Sequence, residues 1–194
     1  MQWKPYHAKM NQRSHEQKLT PEEFHNAYSD AAKELRRHSW KVEVLQFYDE
    51  EGDPSWQKMI KGDWDGALNS LTEAVQEDLR EIQDLRRDGI RVSRLRIIER
   101  PLSDYLRWEL ESYKLSASAG EEIFILDKAG MAEEAHLQDL VGFDENEVIL
   151  LNYDAAGKLT SAVRISDTKC VRNALEAYDH LLSRAVPLDD FMRA

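Results

Sequence analysis

A single cysteine, Cys170, leaves the chain without an internal disulfide and without the paired thiolates of a zinc framework. Glycine is sparse, with 8 in 194 residues. None builds a phosphate cradle, because "GDWDG" at 62–66 lacks the Lys and Ser/Thr of a P-loop. A serine nucleophile elbow is also missing, and His7, His15, His25, His38, His136 and His180 fall at no metal-ligand or triad spacing. No apolar run approaches the ~20 residues of a membrane span, and the start, "MQWKPYHAKMNQRSHEQK", lacks the apolar centre of a secretory signal. These absences predict a cytoplasmic chain with no membrane partner. Basic residues are in deficit, 26 against 37 acidic for a net charge of -11. That balance argues against a nucleic-acid partner, since such binding neutralises phosphates with clustered Lys and Arg. No motif asks for a cofactor or a metal, and none is expected.

What is present is enough apolar material, 42% of residues, to close a core. The charge is uneven. Residues 1–100 hold 17 Lys+Arg against 19 Asp+Glu, and the remainder 9 against 18. Between Arg80 and Arg107, however, eight arginines meet five acids, a locally basic belt in an acidic chain.

Residues 1–19, polar and without period, read as a flexible arm, although Trp3 and Tyr6 are able to dock; residues 20–194 read as a single globular domain. At "LTPEEF" Thr20 predicts an N-cap, Pro21 a first helical residue and Glu23 a capping box. Phe24, Ala27, Tyr28, Ala31 and Leu35 follow as a helical stripe, and "WKVEVLQFY" as a strand. Asp53 and Pro54 open a short helix that closes near Gly62. The stripe Leu71, Val75, Leu79, Ile82 and Leu85 predicts one helix ending at Gly89. "IRVSRLRIIE" is a strand with Leu95 and Ile97 on one face and Val92, Arg94, Arg96 and Ile98 on the other. Pro101 is expected to start a helix that buries Leu102, Leu106, Leu110 and Tyr113, pairs Arg107 with Glu111, and ends at Gly120. "EEIFILD", apolar on both faces, reads as a central strand reached by a βαβ crossover. Three antiparallel segments joined by "DEN" and "DAAG" follow, then a helix from Ser166 or Asp167 carrying Cys170, which Pro187 stops. The fold class is therefore mixed α/β: a central mixed sheet with one βαβ crossover, an antiparallel C-terminal region, and helices packed on the sheet.

The candidate site is the arginine belt. Arg94 and Arg96 on one strand face can hold a carboxylate or phosphate by paired donors, or can spend themselves on Glu99, Glu109 or a neighbouring acidic helix. Glu109 lies one turn after Tyr105, beside the Leu106/Leu110 stripe, where a partly buried acid needs a partner. Glu121, Glu122, Asp144 and Asp154 can meet at loop ends, but their spacing fits turns rather than a metal loop. Trp40, Trp56, Trp64 and Trp108 fit core packing, and Cys170 a small apolar residue.

Three stretches, "RLRIIERPLSDYLRWE", "SAGEEI" and "FDENEVILLNYDAAGKL", resemble an uncharacterised domain family common in actinobacteria and often encoded beside helix-turn-helix regulators. This chain has Glu99-Arg100 where that family has Ser-Glu, and Gly142 where it has an aromatic. A weaker likeness is to half of a phospholipase-D-like domain. Such enzymes use a His-x-Lys pair ahead of an Asp, whereas "HLQDLVGFD" carries Gln138 at the lysine position.

The resemblance and the belt together imply a non-catalytic regulatory or adaptor domain, binding a helix-turn-helix regulator, another protein or a small anionic ligand through Arg94, Arg96, Tyr105, Arg107 and Glu109. One alternative is a small-molecule enzyme with Glu109 as acid or base and the two arginines orienting an anionic substrate. That enzyme requires a pocket containing both groups and a raised Glu109 pKa. A degenerate phosphodiesterase-like domain is the other alternative.

Overall fold

The computed structural model describes residues 15–50, 52–130 and 137–194. Trp3, Tyr6, His7 and His136 lie outside the described residues. The strands are β1 (Glu16–Leu19), β2 (His38–Glu43), β3 (Arg91–Ile98), β4 (Glu122–Asp127), β5 (Leu140–Phe143), β6 (Glu147–Tyr153), β7 (Leu159–Ile165) and β8 (Val186–Pro187). The helices are α1 (Pro21–Glu34), α2 (Pro54–Met59), α3 (Trp64–Ala74), α4 (Gln76–Arg87), α5 (Asp104–Ala119), α6 (Thr168–Leu182) and α7 (Leu188–Arg193). The strands form one mixed sheet in the order β1-β7-β6-β5-β2-β3-β4-β8.

β2, β3 and β4 run parallel, and the rest pair antiparallel. The expected crossover is β3–α5–β4. A second links β2 to β3 through α2, α3 and α4 and was not visible in the pattern, because three short helices do not signal one crossover. β4 stands next to the sheet edge rather than at its centre, with only the two residues of β8 outside it. Its two-sided apolar character comes from helices on both faces. Residues 16–19, assigned above to the arm, pair with β7 as an edge strand.

Alternation divides the sheet into two buried faces. Trp40 and Val42 on β2, with Leu95 and Ile97 on β3, pack under Val171, Ala174 and Tyr178 of α6. The opposite face carries Ile98, Ile123 and Ile125 under α5, and Val141, Phe143 and Ile149 under α1.

Local chemistry explains most boundaries. The Thr20/Glu23 capping box is complete, and Asp53 caps α2. The single helix expected from the Leu71–Leu85 stripe is two, broken at Val75 (φ -97, ψ 5). A bend of one residue leaves the 3.6-residue stripe in register, so periodicity could not reveal it. Pro101 does not open α5; Ser103 caps it, its hydroxyl accepting from Leu106 N. Gly120 ends that helix in the left-handed region (φ 113), as a C-terminal glycine does. α6 stops at Leu182, five residues before Pro187, which instead precedes α7. Asp144 (φ 52) fixes the α1–β2 joint from across the sheet, accepting from the backbone of Arg36, Arg37 and His38 at 2.7–2.9 Å.

Candidate ligand-binding cleft

Parallel register sets Lys41 beside Arg94 and Glu43 beside Arg96, all on the face that α5 covers. α5 answers with Tyr105, Glu109 and Tyr113, spaced one helical turn apart and so stacked on a single stripe. Arg94 donates to Glu43 at 2.8 Å and to Glu121 at 2.9 Å, with its guanidinium 4.7 Å from the Tyr113 ring centre. Arg96, wholly buried, donates to Glu109 at 2.8 Å and lies 5.4 Å from the ring centre of Tyr48. Tyr113 donates to Glu43 and Tyr48 to Asp139. The Tyr105 hydroxyl lies 3.1 Å from Glu50 Oε1 and 3.2 Å from Glu109 Oε1.

All of these groups except Arg96 and Asp139 line a cleft of about 670 Å³ between the sheet and helices α1, α4 and α5. Of the five expected site residues, Arg94, Tyr105 and Glu109 line it together. Arg96 sits behind the wall and reaches the cleft only through Glu109. Arg107 is exposed on the far side of α5, two residues and therefore about 200° from both Tyr105 and Glu109, and it does not line the cleft. Its expected partner Glu111 instead pairs with Lys114.

Glu43, Tyr48, Glu50, Tyr113 and Glu121 were missed. Tyr113 had a signal, one turn beyond Glu109; the others arrive from distant segments. Glu99 and Arg100 pair with Lys128 and Asp127 away from the cleft. The remaining loop acids also have local work: Glu122 pairs with Arg91, and Asp154 accepts from Ala156 N and Lys158 N in its turn. Among the described residues, no group of three or more His, Cys, Asp or Glu could hold a metal ion, and no helix is long and apolar enough to cross a membrane. Trp40, Trp56 and Trp108 are core residues, with Trp108 also reaching the cleft; Cys170 is half-buried on α6.

Burial governs the electrostatics. The Glu109 carboxyl is pushed up to about 7 by desolvation, which the nearby Arg96 only partly offsets. Desolvation likewise raises Glu50, Asp139 and the Tyr105 hydroxyl. Burial disfavours the charge on Glu43 too, but Arg94 and Arg96 prevail and hold it below the usual range. On the other sheet face His38 contacts Ser93 at 2.7 Å and is held down to about 4 by desolvation and by Arg91.

These shifts oppose one another in stability. His38, depressed from 6.5, contributes stability that is present above pH 6.5 and lost as pH falls towards 4. Glu109, raised from 4.5, contributes stability that is full below pH 4.5 and lost as pH rises through 7. Between these limits His38 is opposed by Glu109 and by the other raised carboxyls, Glu50 and Asp139. Glu109→Gln removes one opposing group, so in urea unfolding the change of stability from pH ~4.5 to ~6.5 should be about 2 kcal/mol more positive in the variant than in wild type. Parallel profiles of the two proteins would remove Glu109 from the account.

The chain belongs to the family described as a domain of unknown function, DUF6879, which matches residues 26–193. No curated protein matches it. Its fold is similar to that of Nuc, a phospholipase D family member from Salmonella typhimurium, at 10% identity and a TM-score of 0.54 over 89% of this chain and 96% of Nuc. NucT from Helicobacter pylori matches at 13% identity and 0.50, covering 89% and 98%. Phosphatidylserine synthase from Haemophilus influenzae Rd KW20 matches at 11% and 0.50, covering 89% of this chain and 39% of that one. At such identities the likeness is of fold alone. Gln138, at the position where the phospholipase-D-like pattern has lysine, donates to Leu151 O and Asn152 Oδ1 and does not line the cleft.

Proposed function

We propose that this domain is a non-catalytic binding module whose cleft takes a ligand bearing a positively charged nitrogen. The charge of the wall carries the reading. Arg94 is neutralised by Glu43 and Glu121, and Arg96 by Glu109, so an anionic ligand has to displace built-in carboxylates. Asp49, Glu50, Asp53, Asp78 and Glu81 add five more carboxylates to the wall. Besides Arg94, Lys41 supplies the only other Lys or Arg there among the described residues. A cleft of one sign concentrates ligands of the other.

Ring faces complete the chemistry. Tyr48, Tyr105, Trp108 and Tyr153 line the same space, with the Tyr48 and Tyr153 centroids 5.2 Å apart, and aromatic faces attract cations. The ammonium end is assigned to Glu50, Tyr105 and Glu109. Lys41, two residues before Glu43 on the same strand face, repels a second cation at the other end. The regulatory output expected from sequence belongs to this reading, with a partner protein such as a helix-turn-helix regulator responding to occupancy.

Isothermal titration calorimetry with butylamine and tetramethylammonium, against acetate and inorganic phosphate, tests it. The ammonium probes should bind, with affinity falling roughly tenfold or more in Glu50→Gln/Glu109→Gln, as expected for a desolvated cation contact. Phosphate or acetate binding that depends on Arg94, with no amine binding, overturns it. Glu109 does line a pocket with a raised pKa, which also favours the acid–base reading. Loss of the bound probe to a new product, followed by mass spectrometry in the same samples, would decide for turnover.

A further inference from the structure

We propose that Glu50, Tyr105 and Glu109 hold one exchangeable proton at neutral pH, and that the ammonium group of a ligand replaces it, so that binding is a proton-for-amine exchange. This rests on the cationic-ligand reading and adds its proton linkage.

The geometry sets the problem. Tyr105 has one hydroxyl hydrogen and two carboxylate oxygens within reach, at 3.1 and 3.2 Å. Ionised carboxylates are acceptors only, so with both charged one oxygen faces the hydroxyl without a hydrogen, beside a like charge. A proton on one carboxyl closes the chain: that carboxyl donates to Tyr105, and Tyr105 donates to the other. Arg96 does not supply the missing hydrogen: its Nε donates to the second oxygen of Glu109, its Nη1 to Ile97 O, and its buried Nη2 to no acceptor among the described residues.

The charged and titratable groups around Glu109 come from three elements, with Arg94 and Arg96 on β3, Glu43 on β2, and Tyr105 and Tyr113 on α5, while Glu50, on the segment after β2, meets it through the Tyr105 hydroxyl. Burial raises both Glu50 and Glu109, in agreement with a retained proton. An ammonium brings three donors and one charge, enough to satisfy both carboxylates. The balance is simple: the protonated pair and R–NH3+ give the ionised pair with R–NH3+ bound, and one proton passes to solvent.

Two measurements on the full chain test the exchange. Titration of butylamine in two buffers of different ionisation enthalpy should show close to one proton released per ligand at pH ~6 and much less at pH ~8, with affinity falling about tenfold per pH unit below the titration. Infrared spectra of the ligand-free protein at pH ~6 should contain a protonated carboxyl band that Glu109→Gln or, should that variant fold poorly, Glu50→Gln removes. Amine binding without proton release, or the lack of that band, overturns the exchange and leaves the cationic-ligand reading standing. No amine binding at either pH overturns both.

Discussion

Replacing Arg96 with alanine should cost about 3–5 kcal/mol of folding stability, because it leaves the buried Glu109 carboxylate without its counter-charge. The guanidinium has no exposed surface, donates to Glu109 at 2.8 Å, and lies over the Tyr48 ring. Its loss removes packing as well as charge. Urea unfolding of the variant should show a pH signature: Glu109 escapes by taking up a proton, so the deficit is smaller at pH ~5 than at pH ~8. Removing both charges together, as in Arg96→Met/Glu109→Leu, should recover most of the loss, since a buried pair is often replaced by apolar side chains without net cost. If the double variant is no more stable than Arg96→Ala, the pair is not what holds α5 to β3.

The second large effect lies on the opposite face. Gly142 leaves space that is filled from the next strand: Trp40 is the cross-strand neighbour of Gly142, wholly buried, with its Nε1 donating to Asp144 O at 3.3 Å. A Cβ added at Gly142 would stand 2.0 Å from Trp40 Cε2. Gly142→Val should therefore cost about 3 kcal/mol through overpacking, and Trp40→Ala about 3–5 kcal/mol through the cavity it leaves. The two positions share one volume, so Gly142→Phe in the Trp40→Ala background should exceed the additive expectation by about 2 kcal/mol in denaturant unfolding. Strict additivity would mean that the glycine and the indole do not compete for that space.

Much of the site was readable from local pattern. Alternation along β3 puts Arg94 and Arg96 on one face, and the structure has both there, turned towards α5. The one-turn spacing of Tyr105 and Glu109 aligns them, and the same rule applied strictly turns Arg107, which the basic belt and the family resemblance had both suggested, away from the cleft. Glu109 read as a partly buried acid needing a partner, and Arg96 is that partner. Glu43, Glu50 and Glu121 could not be read the same way. They enter from a neighbouring strand, a connecting segment and the start of β4, and no spacing rule links residues 43 and 94 or 50 and 105.

The amino-acid order by itself determined most of the elements, several of their caps, the two faces of β3 and the placement of two guanidinium groups on one of them. All of these depend on dihedral preference and side-chain period, which act over a few residues. Tertiary structure alone decided what those charges are for. The energy of a charge depends on which groups lie within a few ångströms in a desolvated space, and folding brings those groups from remote parts of the chain. A belt that looked basic along the chain is thereby turned into the neutralised floor of an acidic, tyrosine-lined cleft.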